Sequence, residues 1–172
     1  MNKKPKIKTR ELVNLAFLTA ILLVGQIVLA PIPNIEIVSL LVIIYTQIFG
    51  KKVFFIIYAF AILEGLIYGF GVWWLMYLYV WSLLSIFVLQ FKKQESIILW
   101  TIVSGGFGFI FGLLCSIPYF FIGGFPMAMA FWISGIPFDL MHGIGNIAVM
   151  LVLYKPIFHL LKKLAAGEIY LD

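Results

Sequence analysis

The stretch Val72-Trp73-Trp74-Leu75-Met76-Tyr77-Leu78-Tyr79-Val80-Trp81-Ser82-Leu83-Leu84-Ser85-Ile86-Phe87-Val88-Leu89-Gln90-Phe91 carries no charge and stops at Lys92-Lys93. A helix rises about 1.5 Å per residue, so about 20 residues cross the roughly 30 Å hydrocarbon core of a bilayer. The stretch has the length of one crossing, and the lysines that close it have the position of an interfacial anchor. The rest of the chain follows suit. Of its 172 residues, 64% are hydrophobic and 11% charged, against about 45–50% and about 25% in a soluble domain. The composition excludes a water-soluble globule, and without a polar low-complexity tract the chain is not disordered. The single Cys115 lies inside an apolar run, which excludes a disulfide framework and a cysteine-built metal site.

Working outward, the apolar runs are residues 12–30, 37–49, 53–70, 72–91, 96–122 and 134–161, separated by turn signals or lysine pairs. The second is short and is expected to be a buried or tilted helix. Residues 125–132 are too short to span and are expected to re-enter the membrane or lie at its surface. The first run exceeds the roughly 7–15 residues of a signal-peptide core, and no polar mature domain follows it, so a cleavable signal is not expected.

The charges test this count. With the N-terminus inside, the inner segments are residues 1–11, 50–52, 92–95 and the C-terminal tail. They hold Lys3, Lys4, Lys6, Lys8 and Arg10, then Lys51 and Lys52, then Lys92 and Lys93, then Lys155, Lys162 and Lys163, which are all 12 basic residues of the protein. The outer connections hold none, as the positive-inside rule requires. The expected fold is an all-α integral membrane protein, a compact bundle of six transmembrane helices with both termini cytoplasmic. Residues 1–172 form one domain, with a basic N-terminal segment over 1–11 and a cytoplasmic tail over 162–172. The net charge of +5 thus sets orientation and does not imply nucleic acid. No G-x-x-x-x-G-K-[ST] or H-E-x-x-H motif occurs, so the chain is not expected to hydrolyse ATP or to hold a metal.

Ionisable groups inside spans are costly and are functional candidates by default. Glu36, Glu64, Asp139 and His142 all fall towards the outer side. Asp139, His142 and Asn146 follow at i, i+3 and i+7, within one sector of a helix. Glu64 and Tyr68 are one turn apart, and Trp74, Tyr77 and Trp81 share a face. Each has a plain structural alternative: the aromatics as an interfacial belt, Asp139 paired with His142 along one helix, or Glu64 with His142 across two. Together they point to a pocket without a basic residue, suited to a neutral or cationic ligand or to a nitrogen heterocycle that donates hydrogen bonds. Close helix packing in lipid needs small residues. Ala16 and Ala20, Gly65 and Gly69, and Gly105, Gly108 and Gly112 provide them. The glycine sets are expected to pack within the molecule, whereas the alanine pair is also suited to docking another subunit.

The chain resembles the S components of energy-coupling factor (ECF) transporters, the substrate-binding membrane subunits of vitamin importers. The resemblance covers nearly the whole chain. It rests on size, six helices with both ends inside, Thr9-Arg10-Glu11-Leu12, Ala16-x-x-x-Ala20, Pro33-Asn34-Ile35-Glu36, and the stretch Ser134-Gly135-Ile136-Pro137-Phe138-Asp139-Leu140-Met141-His142-Gly143-Ile144-Gly145-Asn146. It implies a subunit of a prokaryotic cytoplasmic membrane with no cofactor or enzymatic activity of its own. That subunit would bind a water-soluble vitamin or precursor at the outer face and work with a transmembrane coupling subunit (the T component) and two ATP-binding cassette ATPases. Ala16 and Ala20 would meet the coupling subunit. Asn34, Glu36, Glu64, Tyr68, Trp74, Tyr77, Tyr119, Asp139, His142 and Asn146 are the expected substrate-binding residues. A pyridoxine-like or hydroxymethylpyrimidine-like heterocycle is the favoured ligand. The alternatives are a stand-alone secondary transporter or channel and an intramembrane hydrolase using Ser134 and His142. Against the hydrolase, Ser134 is expected to be the N-cap of the last helix and Pro137 to interrupt the helix between the two residues.

Overall fold

The computed structural model describes residues 9–32 and 35–169, and all regular structure among them is helical. Lys3, Lys4, Lys6, Lys8 and Asn34 lie outside the described residues. The elements are α1 (Thr9–Leu29), α2 (Val38–Phe49), a short 3-10 turn (Gly50–Lys52), α3 (Val53–Tyr68), α4 (Val72–Tyr77), α5 (Val80–Gln90), α6 (Ile97–Phe109), α7 (Phe111–Cys115) and α8 (Ile117–Ile169). Four stretches are long and apolar enough to cross a membrane, namely Thr9–Leu29, Val38–Tyr68, Val72–Gln90 and Ile117–Gly167, and Ile97–Phe109 is a shorter apolar helix. Gly50 divides the second stretch. Its φ of 57° lies in the left-handed region, which a residue without Cβ adopts without strain, and its N–H closes α2 on the Thr46 carbonyl.

The centre of the molecule is α2. Residues 38–46 are buried without a break, so this helix is enclosed on every side. It packs against α5 and α8, while α1 lies on α3 and the α6–α7 pair lies on α8. The short second run of the sequence is thus the buried helix that its length led us to expect. Large apolar side chains face outward, Phe17, Phe121 and Val152 being 67%, 80% and 69% exposed, while Glu64, Asp139, His142 and Asn146 are buried. This reverses the pattern of a soluble domain and suits a hydrocarbon solvent.

Glycines bring α6 and α7 onto α8. A Cβ on Gly108 would lie 2.7 Å from the Gly143 Cα, and one on Gly112 would lie 2.5 Å from Asp139 Oδ2. The backbones touch because nothing stands between them, which is the close approach that small residues permit in lipid.

Three local expectations are corrected. Residues 125–132 are not a separate re-entrant piece. The chain breaks at Gly123 and Gly124 (φ 71°) and is then helical through to Ile169, because Pro126 falls where an absent N–H costs a new helix nothing. Ser134 is accordingly not an N-cap; it sits inside that helix, and its hydroxyl donates to the Phe131 carbonyl at 2.9 Å. Nor does Pro137 interrupt the helix, which continues through both Pro137 and Pro156; membrane helices tolerate proline where neighbours re-satisfy the freed carbonyl. The distal arm, residues 125–169, would measure roughly 65 Å if straight.

Candidate functional site

The polar side chains form two groups at opposite ends of the helices. At one end Glu36 stands just before α2. Its Oε2 accepts from the Ser39 N–H at 2.8 Å, satisfying a free donor of the first turn, where a carboxylate also meets the positive end of the helix dipole. Its Oε1 lies 3.2 Å from His142 Nε2 on α8. One helical turn further along α8, Asn146 donates from Nδ2 to Ser39 Oγ and to the Ser104 carbonyl, both at 3.2 Å. A carbonyl can only accept, so this contact also fixes which way the Asn146 amide points. On the other flank, Asp139 Oδ1 accepts from the Gly112 N–H at 2.8 Å. Gly112 is therefore needed twice, as a donor and as a residue without a side chain.

A second cluster joins α1, α3 and α4. Gln26 Nε2 donates to the Tyr77 hydroxyl at 2.8 Å and approaches Glu64 Oε2 at 3.4 Å. The clusters are linked by rings in direct contact: Tyr77 on Trp81 (5.8 Å between centroids), Trp81 on Phe111 (5.7 Å), and Phe111 on His142 (4.8 Å). The aromatic pairs are edge-on or tilted, as ring quadrupoles favour. One contact path therefore runs from Glu64 through Gln26, Tyr77, Trp81, Phe111 and His142 to Glu36. Along and beside it, Glu64 Oε1, Trp81 Nε1, Asp139 Oδ2 and Asn146 Oδ1 are buried and have no hydrogen-bond partner among the described residues. Buried polar groups are nearly always paired, so each of these atoms is a position where a bound molecule or water can complete the bonding.

The opposite end holds the bases. Lys52 pairs with Glu11, and Lys162 with Glu95. Gln47 donates to the Gln94 carbonyl and accepts from the Tyr154 hydroxyl. Along α2, Ser39 belongs to the first group and Gln47 to the second; along α8, Asn146 belongs to the first and Tyr154 and Lys162 to the second. Among the described residues no ion pair joins a Lys or Arg to Glu36, Glu64 or Asp139, and none of their His, Cys, Asp and Glu groups could hold a metal ion.

Most of the residues expected from sequence fall in this region. Glu36, Glu64, Tyr77, Asp139, His142 and Asn146 do so directly. Trp74 flanks it: its indole N–H donates to the Ala61 carbonyl at 2.8 Å, and its ring meets Phe70 edge-on. Glu64 is bonded to Gln26 and not to His142, whose partner is Glu36. Two expected residues stand apart from the contact path: Tyr68 is 54% exposed, and Tyr119 stacks on Phe131 at 4.3 Å across the Gly123–Gly124 break. Asn34 lies outside the described residues. Ala16 and Ala20 are exposed on α1.

Sequence reasoning placed Trp81 on one face with Trp74 and Tyr77 but passed over Gln26, Ser39 and Phe111. Gln26 carried a usable signal, being an amide inside a long apolar run, but the search for ionisable groups missed it. Phe111 and Ser39 carried none, since a phenylalanine or serine in an apolar helix is ordinary. Comparison with protein-family models, with curated proteins and with solved structures finds no match to this chain.

Proposed function

We propose that the chain is the substrate-binding membrane subunit of an ECF-type importer, resident in the cytoplasmic membrane of a prokaryote. In this reading it captures a water-soluble vitamin or vitamin precursor from outside. It then passes the vitamin inward together with a transmembrane coupling subunit and two ATP-binding cassette ATPases, which perform the hydrolysis. The favoured ligand is a pyridoxine-like or hydroxymethylpyrimidine-like heterocycle, hydrogen-bonded by Glu36, Glu64, Asp139, His142 and Asn146 and flanked by Trp74 and Tyr77.

The main support is the separation of polar groups described above. A base-free end with unpaired buried atoms suits a small solute, and a lysine-bearing end suits the cytoplasmic face. Residues from each of α1, α2, α3, α4–α5, α6–α7 and α8 contribute to the base-free end. Helices α1, α2 and α8 also reach the lysine-bearing end through Glu11, Gln47 and Tyr154. This arrangement supports six crossings with both termini inside. A tag fused after Asp172 is therefore expected to be labelled only after permeabilisation of cells; labelling from outside intact cells contradicts the orientation.

The exposed Ala16 and Ala20 leave a shallow strip on α1 where a partner helix can approach closely. Replacement of both by tryptophan is expected to abolish ATP-dependent uptake into vesicles that hold all four subunits. Ligand binding by the isolated subunit is expected to stay within about twofold. Uptake that survives the double substitution removes the interface assignment. Uptake by the wild-type chain alone, without partners or ATP, favours a stand-alone transporter instead.

A further inference from the structure

We infer that the ligand of this site is a donor-rich organic cation built on an aromatic nitrogen heterocycle, a deepening that rests on the substrate-binding reading above. The groups left open in the site are unequal in kind. Glu64 Oε1, Asp139 Oδ2 and Asn146 Oδ1 can accept hydrogen bonds, and Trp81 Nε1 can donate one. Glu64 and Asn146 are each 2% exposed and Asp139 is 7% exposed, so bulk water does not reach them freely. Each also has its other polar atom engaged within the protein: Glu64 by Gln26, Asp139 by the Gly112 N–H, and Asn146 by Ser39 and the Ser104 carbonyl. The open atoms are therefore held in place and are not free to swing to a new internal partner.

Asp139 and Asn146 leave acceptors open at the His142 cluster and Glu64 leaves one open at the Tyr77 cluster, so a ligand at either meets acceptors and is matched by N–H donors. Charge points the same way. Glu36, Glu64 and Asp139 lie on or beside one contact path that no described Lys or Arg enters. A buried carboxylate without a counter-charge is costly, and among the described residues His142 is the sole group on the path able to carry one. A bound cation supplies what is missing. An anionic ligand would meet carboxylates with no described Lys or Arg paired to them.

Two matched trios test the inference on the purified full chain in detergent, by titration calorimetry and thermal shift. One is pyridoxamine, pyridoxine and 4-pyridoxic acid. The other is 4-amino-2-methylpyrimidine carrying at position 5 an aminomethyl, a hydroxymethyl or a carboxylate group. The aminomethyl member of at least one trio is expected to bind ten times or more tighter than its hydroxymethyl counterpart, and the carboxylate not at all. Equal or tighter binding of a neutral or anionic member overturns the inference, and so does the absence of binding by both cations. Glu64→Gln and Asp139→Asn are each expected to reduce the cation-over-neutral preference at least fivefold. The asparagine retains an oxygen for the Gly112 N–H, so the fold has a second chance of surviving. Glu95→Gln, at the lysine-bearing end, is expected to change nothing, and an unchanged preference in both site variants refutes the assignment. Failure of the importer reading would appear in the uptake assay and leave the charge preference standing. Tight binding of a carboxylate would do the reverse.

Discussion

Substitution of Gly108 by valine is expected to force α6 away from α8 and to yield little monodisperse protein on size-exclusion chromatography. A Cβ at this position would meet the Gly143 Cα at 2.7 Å, the Gly143 nitrogen at 2.8 Å and the His142 carbonyl carbon at 2.9 Å. All three are backbone atoms of a helix, so no rotamer change relieves the clash. Overpacking a tight interior typically costs about 1–3 kcal/mol, and the rigidity of the obstacle puts this change at or above the upper end. Across the seam, a Cβ on Gly143 would meet the Phe109 side chain, 2.2 Å from its ring. Gly106 provides the control on the same helix. Nothing lies within 4 Å of a Cβ there, and alanine is about 0.5–1 kcal/mol better than glycine inside a helix. Gly106→Ala is therefore expected to raise the melting temperature slightly. A Gly108→Val protein that melts with the wild type would refute the seam.

Truncation of Trp81 to alanine is expected to destabilise the fold by about 3 kcal/mol, the lower end of the range for aromatic truncations, because transfer from water contributes little when the surroundings are lipid. What remains is the void. Trp81 is 2% exposed and its ring meets Tyr77, Phe107 and Phe111, so three neighbours lose their contacts at once. The same change interrupts the path between the Gln26–Glu64 cluster and the Glu36–His142 cluster. Trp81→Phe keeps a ring in place and removes the unpaired indole N–H, and is expected to recover more than half of the lost stability. Detergent-based thermal unfolding of the three proteins decides. A tolerated alanine would place Trp81 in a slack region and not in a packed path.

Much of this architecture was legible in the chain because membrane folding leaves broad marks. Runs of about 20 apolar residues and lysine pairs between them are read by counting. Individual acids inside those runs, such as Glu64 and Asp139, stand out because burial makes them costly. What the chain hid depends on which helix packs beside which. Glu64 reaches Gln26 only because α1 lies on α3. His142 finds Glu36, more than one hundred residues away, only because α8 passes the start of α2. The local errors have a common origin as well. Gly, Ser and Pro punctuate helices in water, where the chain can leave the helix for solvent bonds. Ser134 instead bonds the Phe131 carbonyl within its own helix, and the helix continues through it and through Pro137.

The distal arm of α8 has a consequence for how the protein sits in its solvent. From Phe125 to Val152 it carries outward apolar side chains, including Ile133 and Ile144, before the exposed Lys155. That greasy surface extends for roughly 40 Å, against the roughly 30 Å hydrocarbon thickness of a bilayer. A rod of this length cannot be wetted by acyl chains while it stands upright. In a bilayer it would have to lean, or bend at Pro137, for its apolar surface to lie within the slab. The inclination of this one oblique spar would then match the protein to bilayer thickness.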